Sequence, residues 1–391
     1  MSAPEPEDFL DLGSQLTDEE RAGRDMVRGY CNERLRPAIP GWFEHGLPHQ
    51  EVRRLAGELG KLGLLGMHLQ GYGCAGAGAV SYGLTCLELE AVDSGLRSLV
   101  SVQGSLAMYA IHRHGSEEQK QAWLPRMAAG EAIGCFGLTE PDSGSDPGSM
   151  RTTARRVGAD WVVSGTKMWI TNGGVADVAV VWARTDEGIR GFLVPTDADG
   201  FAARDVGRKL SLRASVTSEL VLDDVRLPAD AQLPGARGLG GPLSCLNEAR
   251  FGIVFGAMGA ARDAFCSALD YSRVRTQFGR PIGGFQLTQG KLADMLLELH
   301  KGTLLALHLG RLKEAGRLRP EQVSFGKLNN TRAALDICRT ARTILGASGV
   351  TLEYPAIRHA NNLESVLTYE GTSEIHALVL GQALTGQDAF R

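Results

Sequence analysis

Long apolar segments are missing from this sequence of 391 residues. No hydrophobic run approaches the roughly 20 residues that a helix needs to cross a membrane, so the sequence predicts no membrane span. A strong excess of one charge is missing too, because 41 Lys and Arg residues stand against 45 Asp and Glu residues and the formal net charge is −4. This balance offers no electrostatic case for binding nucleic acid or a membrane surface. An anionic ligand would have to be bound by a local group of cations.

Cysteine is scarce and scattered, with seven residues that never fall in a C-x-x-C spacing. An odd number of widely separated cysteines favours buried thiols in a reducing compartment, and it favours neither a disulfide framework nor a zinc site. The N-terminal residues 1–8 are acidic and lack both the apolar core of a signal peptide and the arginine-rich pattern of an organelle presequence. We therefore expect a cytoplasmic protein with no metal site.

The hydrophobic pattern divides the chain into three parts. From about residue 17 to residue 130 apolar residues recur at helical spacing. Short segments rich in β-branched and aromatic residues then alternate with turn signals, which is typical of a compact β domain. After the glycine-rich stretch 235–241 the helical spacing returns. The pattern predicts an α+β fold with an N-terminal helical domain (residues 1–132), a middle β domain (residues 133–240) and a C-terminal helical domain (residues 241–391).

The two helical parts could pack into one bundle with the β domain inserted between them. A cleft where the bundle meets the β domain would then be the natural ligand site. We expect helices near residues 51–65, 81–93, 244–273, 285–315 and 321–345, and strands near residues 161–163, 178–182, 191–194 and 219–222.

Glu370 is the candidate catalytic base. It lies beside Gly371 and is followed by hydroxyl residues that can cap the helical run starting at Ile375. Helix amides and the helix dipole would keep the carboxylate ionised, while burial against Tyr369 would raise its basicity. A surface glutamate that merely precedes a helix has the same local pattern, so the loop alone does not decide.

Three further stretches could bind a cofactor. Residues 136–146 form a glycine- and serine-rich loop that could expose backbone amides to a heterocycle or phosphate. Residues 167–173 end a strand with Trp169 and Thr171, an aromatic face and a hydroxyl. Residues 273–280 carry three arginines around Phe278, which suits phosphate and a stacked base. Each stretch taken alone could equally be a turn, a core tryptophan or a solvated basic loop.

In this order and spacing, the stretches resemble the acyl-CoA dehydrogenase family of flavoproteins, over nearly the whole chain from about residue 17. The resemblance implies the family's arrangement of N-terminal helical, middle β and C-terminal helical parts, FAD as the cofactor, an acyl-CoA substrate, an electron-transfer flavoprotein as the usual acceptor, and a homotetramer. The motifs that carry it are Leu138-Thr139-Glu140-Pro141 with Ser143-Gly144-Ser145-Asp146, Trp169-Ile170-Thr171-Asn172, Arg275-Thr276-Gln277-Phe278-Gly279 and Tyr369-Glu370-Gly371-Thr372.

The family's functional residues can be carried over by position. Glu370 matches the base that removes the α-proton of the acyl thioester, and Trp169 matches the residue against the flavin ring. The remaining matches to cofactor contacts are Phe136, Leu138, Thr139, Ser145, Ile170, Thr171, Arg275, Gln277, Phe278, Gln286, Leu345, Gly346, Thr372, Glu374 and Phe390. The matches to substrate contacts are Glu90, Arg97, Ser98, Ser145, Arg250, Tyr369 and Gly371.

Residues 90–98, 210–215, 357–360 and 369–386 resemble the branch of the family that acts on glutaryl-CoA. Within these stretches, Arg97 and Ser98 indicate the substrate class. A buried arginine beside a hydroxyl is what a terminal carboxylate at the end of an acyl pocket requires. We therefore expect oxidative decarboxylation of glutaryl-CoA to crotonyl-CoA. Four alternatives stay open: an arginine paired only for structure, dehydrogenation without decarboxylation, a substrate on a carrier protein, and a flavin- or CoA-binding or partner-docking scaffold without turnover.

Overall fold

The computed structural model describes residues 5–390. Its N-terminal part is helical, as predicted. Two of its helices begin with reciprocal capping boxes, in which Thr17 and Glu20 satisfy each other's backbone amides, as do Ser116 and Gln119. The helices are α1 (Asp18–Tyr30), α2 (Ile39–His45), α3 (His49–Lys61), α4 (Ala79–Glu90), α5 (Ser94–Ser101), α6 (Tyr109–His114) and α7 (Glu117–Ala128), and π-helical turns lie at Cys31–Leu35 and Val102–Met108.

Several helix boundaries differ from the expectation by up to four residues. The helix expected at residues 51–65, for example, is α3 and ends at Lys61. The predicted helix at residues 81–93 is α4, which begins at Ala79 and ends at Glu90. Asp93 belongs to the next element, because its side chain accepts a hydrogen bond from Gly95 N at 2.8 Å and caps α5. Periodicity had joined the end of one helix to the cap of the next.

The middle of the chain forms a seven-stranded sheet. The strand order is β1-β4-β2-β3-β7-β6, and β5 lies off this order as a further partner of β4. β1 and β2 are parallel to β4, and the other pairs are antiparallel. The strands are β1 (Gly134–Gly137), β2 (Thr153–Val157), β3 (Asp160–Thr171), β4 (Val178–Thr185), β5 (Gly188–Pro195), β6 (Phe201–Asp205) and β7 (Thr217–Leu227).

The C-terminal part is again helical. Its first helix, α8, is 35 residues long and is followed by a short hairpin. The elements are α8 (Gly240–Val274), β8 (Thr276–Gln277), β9 (Arg280–Pro281), α9 (Gln286–Glu314), α10 (Pro320–Leu345), α11 (Pro355–Thr368) and α12 (Ser373–Thr385).

The two helical parts share one apolar core. Val80 and Leu87 of α4 belong to the same buried cluster as Val254 and Phe255 of α8. At Gly259 of α8 the helices approach so closely that a Cβ atom would lie 1.9 Å from the carbonyl oxygen of Leu87. The sheet has its own buried cluster, and a third cluster joins it to α6 and α7. The predicted fold is confirmed, with a β domain inserted between two parts of one bundle.

Two features are absent from residues 5–390. None of the helices there is long and apolar enough to cross a membrane. Nor do these residues hold a group of three or more His, Cys, Asp or Glu side chains that could bind a metal ion.

Candidate active site

The loop that carries Glu370 has an unusual backbone. It connects α11 to α12, and both Glu370 (φ 53°) and Gly371 (φ 98°) lie in the left-handed region. The side chain of Thr372 accepts a hydrogen bond from Ile375 N at 3.3 Å, so the predicted helix cap is confirmed. A Cβ atom on Gly371 would lie 2.9 Å from Nε2 of His376. Glycine is therefore required there both by its φ angle and by its neighbour.

Three consecutive carbonyl groups of this loop are held by buried cations. Lys327 of α10 donates to the carbonyl oxygens of Tyr369 at 2.5 Å and of Gly371 at 2.6 Å. Arg250 of α8 donates through Nε to the carbonyl oxygen of Glu370 at 2.7 Å. These bonds replace the backbone hydrogen bonds that an irregular loop lacks.

The Glu370 carboxyl group lies among opposing influences. Burial raises its pKa, while the positive charges of Arg97, Lys327 and Arg250 act to lower it, and the net shift is upward. One of its oxygens, Oε2, has no hydrogen-bond partner among residues 5–390. The expectation that helix amides keep the carboxylate ionised is therefore wrong in its cause, because side-chain cations supply that attraction. The expected increase in basicity is present.

Arg97 lies one hydrogen bond away from this loop. Its Nε donates to Oε2 of Glu90 at 2.8 Å, and its Nη2 donates to the hydroxyl oxygen of Tyr369. Ser98 Oγ is 3.5 Å from the same hydroxyl. Glu90 also accepts a hydrogen bond from Ser94 at 2.8 Å. Burial raises the pKa of Tyr369, so its hydroxyl stays neutral.

A second group of predicted residues lies at the edge of the sheet. The register of β3 against β7 shifts between Lys167 and Ile170, and this bulge turns Trp169 outward, leaving it 58% exposed with φ 64°. Thr139 and Thr171 are half-buried. The carbonyl oxygen of Thr139 accepts a hydrogen bond from Met168 N at 2.8 Å, which joins the two predicted cofactor stretches.

A buried ion pair supports this edge from behind. Lys167 donates to Oε1 of Glu140 at 2.8 Å and to the carbonyl oxygen of Leu138 at 3.1 Å. Burial acts to raise the pKa of Glu140, but hydrogen bonds from the Arg151 amide, Lys167 and Thr152 lower it to about 2. The carboxylate is thus permanently charged at neutral pH and anchors the loop.

A third group is exposed on the hairpin that follows α8. Phe278, with φ 50°, is 93% exposed, and Arg275, Gln277 and Gln286 are exposed around it. Phe390 near the C-terminus is 52% exposed. Large apolar side chains in water favour being covered by a ligand or by another protein surface.

The comparisons with known proteins decide the family. Models of the acyl-CoA dehydrogenase N-terminal, middle and C-terminal domains match residues 17–131, 135–225 and 236–385. The chain belongs to the acyl-CoA dehydrogenase family. The resemblance predicted from the four motifs is confirmed, and the chain is an FAD-dependent oxidoreductase of this family.

Individual relatives are similar over nearly the whole chain. The crystal structure of glutaryl-CoA dehydrogenase from Mycobacterium smegmatis is 70% identical with a TM-score of 0.97, covering 99% of this chain and 100% of that one. A glutaryl-CoA dehydrogenase from the same organism in complex with FADH2 is 65% identical, with the same TM-score and coverage. The human mitochondrial short-chain specific acyl-CoA dehydrogenase is 39% identical over 345 residues, which make up 86% of this chain and 82% of that protein.

The residues at the sheet edge and on the hairpin fit the family's FAD. An outward-facing indole flanked by two threonines suits a flat ring with a polar edge, and the arginine and phenylalanine of the hairpin suit a diphosphate and a base. Four predicted cofactor residues, by contrast, have buried side chains that belong to apolar cores, so any contact they make comes from the backbone. These four are Phe136, Leu138, Ile170 and Leu345. Ser145, Gly346 and Glu374 are exposed, and Thr372 is half-buried.

Sequence reasoning missed two residues in the acyl-CoA dehydrogenase site. Lys327 is 1% exposed, and both ring nitrogens of His376 are buried without a partner among residues 5–390. Burial, then the charges of Lys327 and Arg250, lower the pKa of His376 to about 3, so the ring is neutral. The available signal was periodicity, because Val323, Lys327 and Thr331 recur at four-residue spacing on the buried face of α10.

Proposed function

We propose that this acyl-CoA dehydrogenase acts on a carboxylated acyl-CoA, glutaryl-CoA in the first place, and converts it to crotonyl-CoA with loss of carbon dioxide. The observation that carries the proposal is the hydrogen bond from Arg97 to the Tyr369 hydroxyl. It places a buried guanidinium next to the residue that precedes the proposed base. The substrate named for the Mycobacterium smegmatis structures supports the same choice.

The charges around the base also favour a substrate with a carboxylate. Arg97, Arg250 and Lys327 are cations, whereas Glu90 and Glu370 are the carboxylates that act on them through space. With all five groups ionised, the buried set carries one excess positive charge. A terminal carboxylate would neutralise it, and a plain fatty acyl chain would not.

The proposed roles follow from these positions. Glu370 removes the α-proton of the thioester, for which its raised basicity is suited. FAD, when bound, accepts the hydride equivalent from the β-carbon. Arg97 and Ser98 hold the terminal carboxylate, and Glu90 holds Arg97 in place. After the terminal carbon–carbon bond breaks and carbon dioxide leaves, the protonated Glu370 returns its proton to the resulting dienolate.

Ser145 and Arg250 are the residues proposed to contact the CoA part. Ser145 lies on the exposed loop before β2, where it is free to meet a ligand from solvent. Arg250 is already bonded to the Glu370 carbonyl oxygen and to Oδ1 of Asn247 at 3.2 Å, so it would bind substrate while also bracing the loop.

A homotetramer, with an electron-transfer flavoprotein as the electron acceptor, completes the proposal. The exposed hairpin around Phe278 forms only one side of a cofactor site, which another copy of the chain would complete. Helices α9 and α10 also expose large apolar side chains, as a subunit interface requires. These are Leu287, Leu297, Leu304 and Phe325. We place the assembly in the cytoplasm, to be tested by cell fractionation and by light scattering.

The deciding experiment uses the FAD-loaded protein under anaerobic conditions. Mixed with glutaryl-CoA, it should bleach the flavin absorbance, and mass spectrometry should find crotonyl-CoA. Butyryl-CoA is the matched substrate that lacks the carboxylate, and it should bleach the flavin far more slowly. Absence of bleaching with glutaryl-CoA would exclude that substrate. Accumulation of glutaconyl-CoA alone would exclude decarboxylation.

A further inference from the structure

Lys327 is a buried cation that the proposed reaction steps do not use. It lies in the middle of α10, and its side chain is almost completely shielded from solvent. Burying an ammonium group is costly unless it gains strong partners. Its partners here are two backbone carbonyl oxygens, those of the residues immediately before and after Glu370.

The geometry of these two bonds constrains the residue between them. Fixing the carbonyl group of Tyr369 fixes the peptide plane before Glu370, and fixing that of Gly371 fixes the plane one residue beyond the next. Arg250 holds the plane between these two through the Glu370 carbonyl oxygen. Glu370 has a φ of 53°, a conformation that a residue with a side chain adopts only at a cost unless its surroundings impose it. The ammonium group supplies part of that constraint from a neighbouring helix, independently of the loop's own sequence.

The same ammonium group also acts on Glu370 by its charge. Burial lowers the pKa of Lys327, and the negative charge of Glu370 opposes that shift. In turn, the positive charge of Lys327 acts to lower the pKa of Glu370. Six charged or titratable side chains besides Lys327 act on Glu370, are acted on by it or lie beside it. These are Cys86 and Glu90 from α4, Arg97 from α5, Arg250 from α8, Tyr369 from the loop and His376 from α12.

We infer that Lys327 is a positioning residue for the base, which holds Glu370 in its left-handed conformation through the two flanking carbonyl groups and stabilises its carboxylate by charge. This inference rests on the proposed role of Glu370. Lys327 acts on the loop and on the charge of Glu370, and not on the α-carbon or the thioester.

Lys209 provides a matched control, because it is a second lysine that fastens a loop. Its ammonium group donates to the carbonyl oxygens of Leu212 at 2.9 Å and Ser215 at 2.8 Å, and to Oγ1 of Thr217 at 2.7 Å. Burial lowers its pKa to about 8. Loss of Lys209 removes the same kind of interaction from the β domain.

The test measures the protonation of Glu370 without substrate. In FAD-loaded protein labelled with ¹³C-glutamate, the infrared band of the protonated Glu370 carboxyl group is identified by its loss in Glu370→Gln and is followed through a pH titration. In Lys327→Met the midpoint should rise by about one pH unit or more, because a cation that favoured the carboxylate is gone. Lys327→Arg should stay closer to the wild type. Lys209→Met should lower the melting temperature and leave the midpoint unchanged.

An unchanged midpoint in Lys327→Met would overturn the inference, as would an equal shift in Lys209→Met. Lys327→Gln, whose side chain is one atom shorter but ends in an uncharged hydrogen-bond donor, serves if the methionine variant does not fold. Flavin bleaching by glutaryl-CoA is recorded in parallel, and kcat should fall in the neutral variants with little change in KM. If the wild type bleaches with neither glutaryl-CoA nor butyryl-CoA, the proposed function fails, while the infrared midpoint still decides the inference about Lys327.

Discussion

Arg97 and Glu90 form an ion pair that solvent does not reach: Nε lies 2.8 Å from Oε2, and the two side chains are 1% and 0% exposed. Each member of a pair buried to this degree needs the other, because removing one partner leaves the other as an unpaired charge in the protein interior. It also means that any substrate carboxylate meets an arginine whose orientation is already fixed.

Replacing one member of this ion pair should lower the free energy of unfolding more than replacing both members. Arg97→Met is expected to lower the free energy of unfolding by about 3–5 kcal/mol. The double variant Glu90→Gln/Arg97→Met should lose less, since no charge is left unpaired. Denaturant titration of these two variants and of Glu90→Gln alone completes the double-mutant cycle. Equal losses in the single arginine variant and the double variant would show that the pair is not coupled.

Arg97 should also decide between substrates. In the double variant, which removes the stability effect, kcat/KM for glutaryl-CoA should fall at least ~30-fold more than kcat/KM for butyryl-CoA, as expected for a charge-assisted contact of about 2 kcal/mol. The control is Arg339→Met, which removes a surface arginine paired with Glu364. Equal losses on both substrates would assign Arg97 a structural role.

Glu370→Gln should slow turnover strongly while leaving FAD bound. The rate of flavin bleaching should fall by about 10²- to 10⁴-fold, which is typical for loss of a general base. Stopped-flow bleaching measures the rate, and the flavin spectrum of the gel-filtered protein measures retention. Glu364→Gln, an exposed carboxyl on α11, is the matched change that should leave both intact. Rapid bleaching by Glu370→Gln would refute the base assignment.

The pH dependence has a definite sign. Because the pKa of Glu370 is raised in the folded protein, the protonated side chain favours folding below the unfolded pKa, and this contribution disappears as the pH rises through the folded pKa. Glu370→Gln should therefore melt at a higher temperature than the wild type at neutral pH. The difference should vanish below about pH 4, near the unfolded pKa. Flavin bleaching by the wild type should fall as the pH drops through the raised pKa.

The contact between α4 and α8 should be intolerant of any side chain at Gly259. A Cβ atom there would lie 1.9 Å from the Leu87 carbonyl oxygen, so Gly259→Ala must push the helices apart and should prevent folding or destabilise by several kcal/mol, on the order of an overpacked core. Gly290→Ala is the control, because this exposed glycine of α9 has nothing within 4 Å of its Cβ position. Gly290→Ala should raise the free energy of unfolding by about 0.5–1 kcal/mol. Thermal melts compare the two.

The sequence predicted those parts of the molecule that local patterns determine. Capping residues, apolar periodicity and β-branched runs located the three parts, and the motif around Glu370 located the proposed base. Apolar periodicity also misplaced one boundary, since it assigned Asp93 to the helix before it and not to the helix that it caps. The domain boundaries at residues 132 and 240 stay predictions.

The contacts that tune the site depend on packing between distant segments, which no local pattern encodes. Lys327 lies 43 positions before Glu370 and reaches it only because α10 packs beside the loop. Arg97 is paired with Glu90, as the alternative of a purely structural arginine predicted. Arg97 also donates a hydrogen bond to Tyr369, which that alternative did not include. Sequence spacing could suggest either contact but could not show that both occur together.

The bulge that turns Trp169 outward gives the protein a built-in optical reporter. Trp42, Trp161 and Trp182 are buried and Trp123 is half-buried, so iodide in solution should quench the fluorescence of Trp169 more than that of any other tryptophan. A flavin stacked on the indole would shield the indole from iodide and would quench its fluorescence by energy transfer. Occupancy of the cofactor site could then be followed by tryptophan emission in the unmodified chain, at concentrations too low for flavin absorbance.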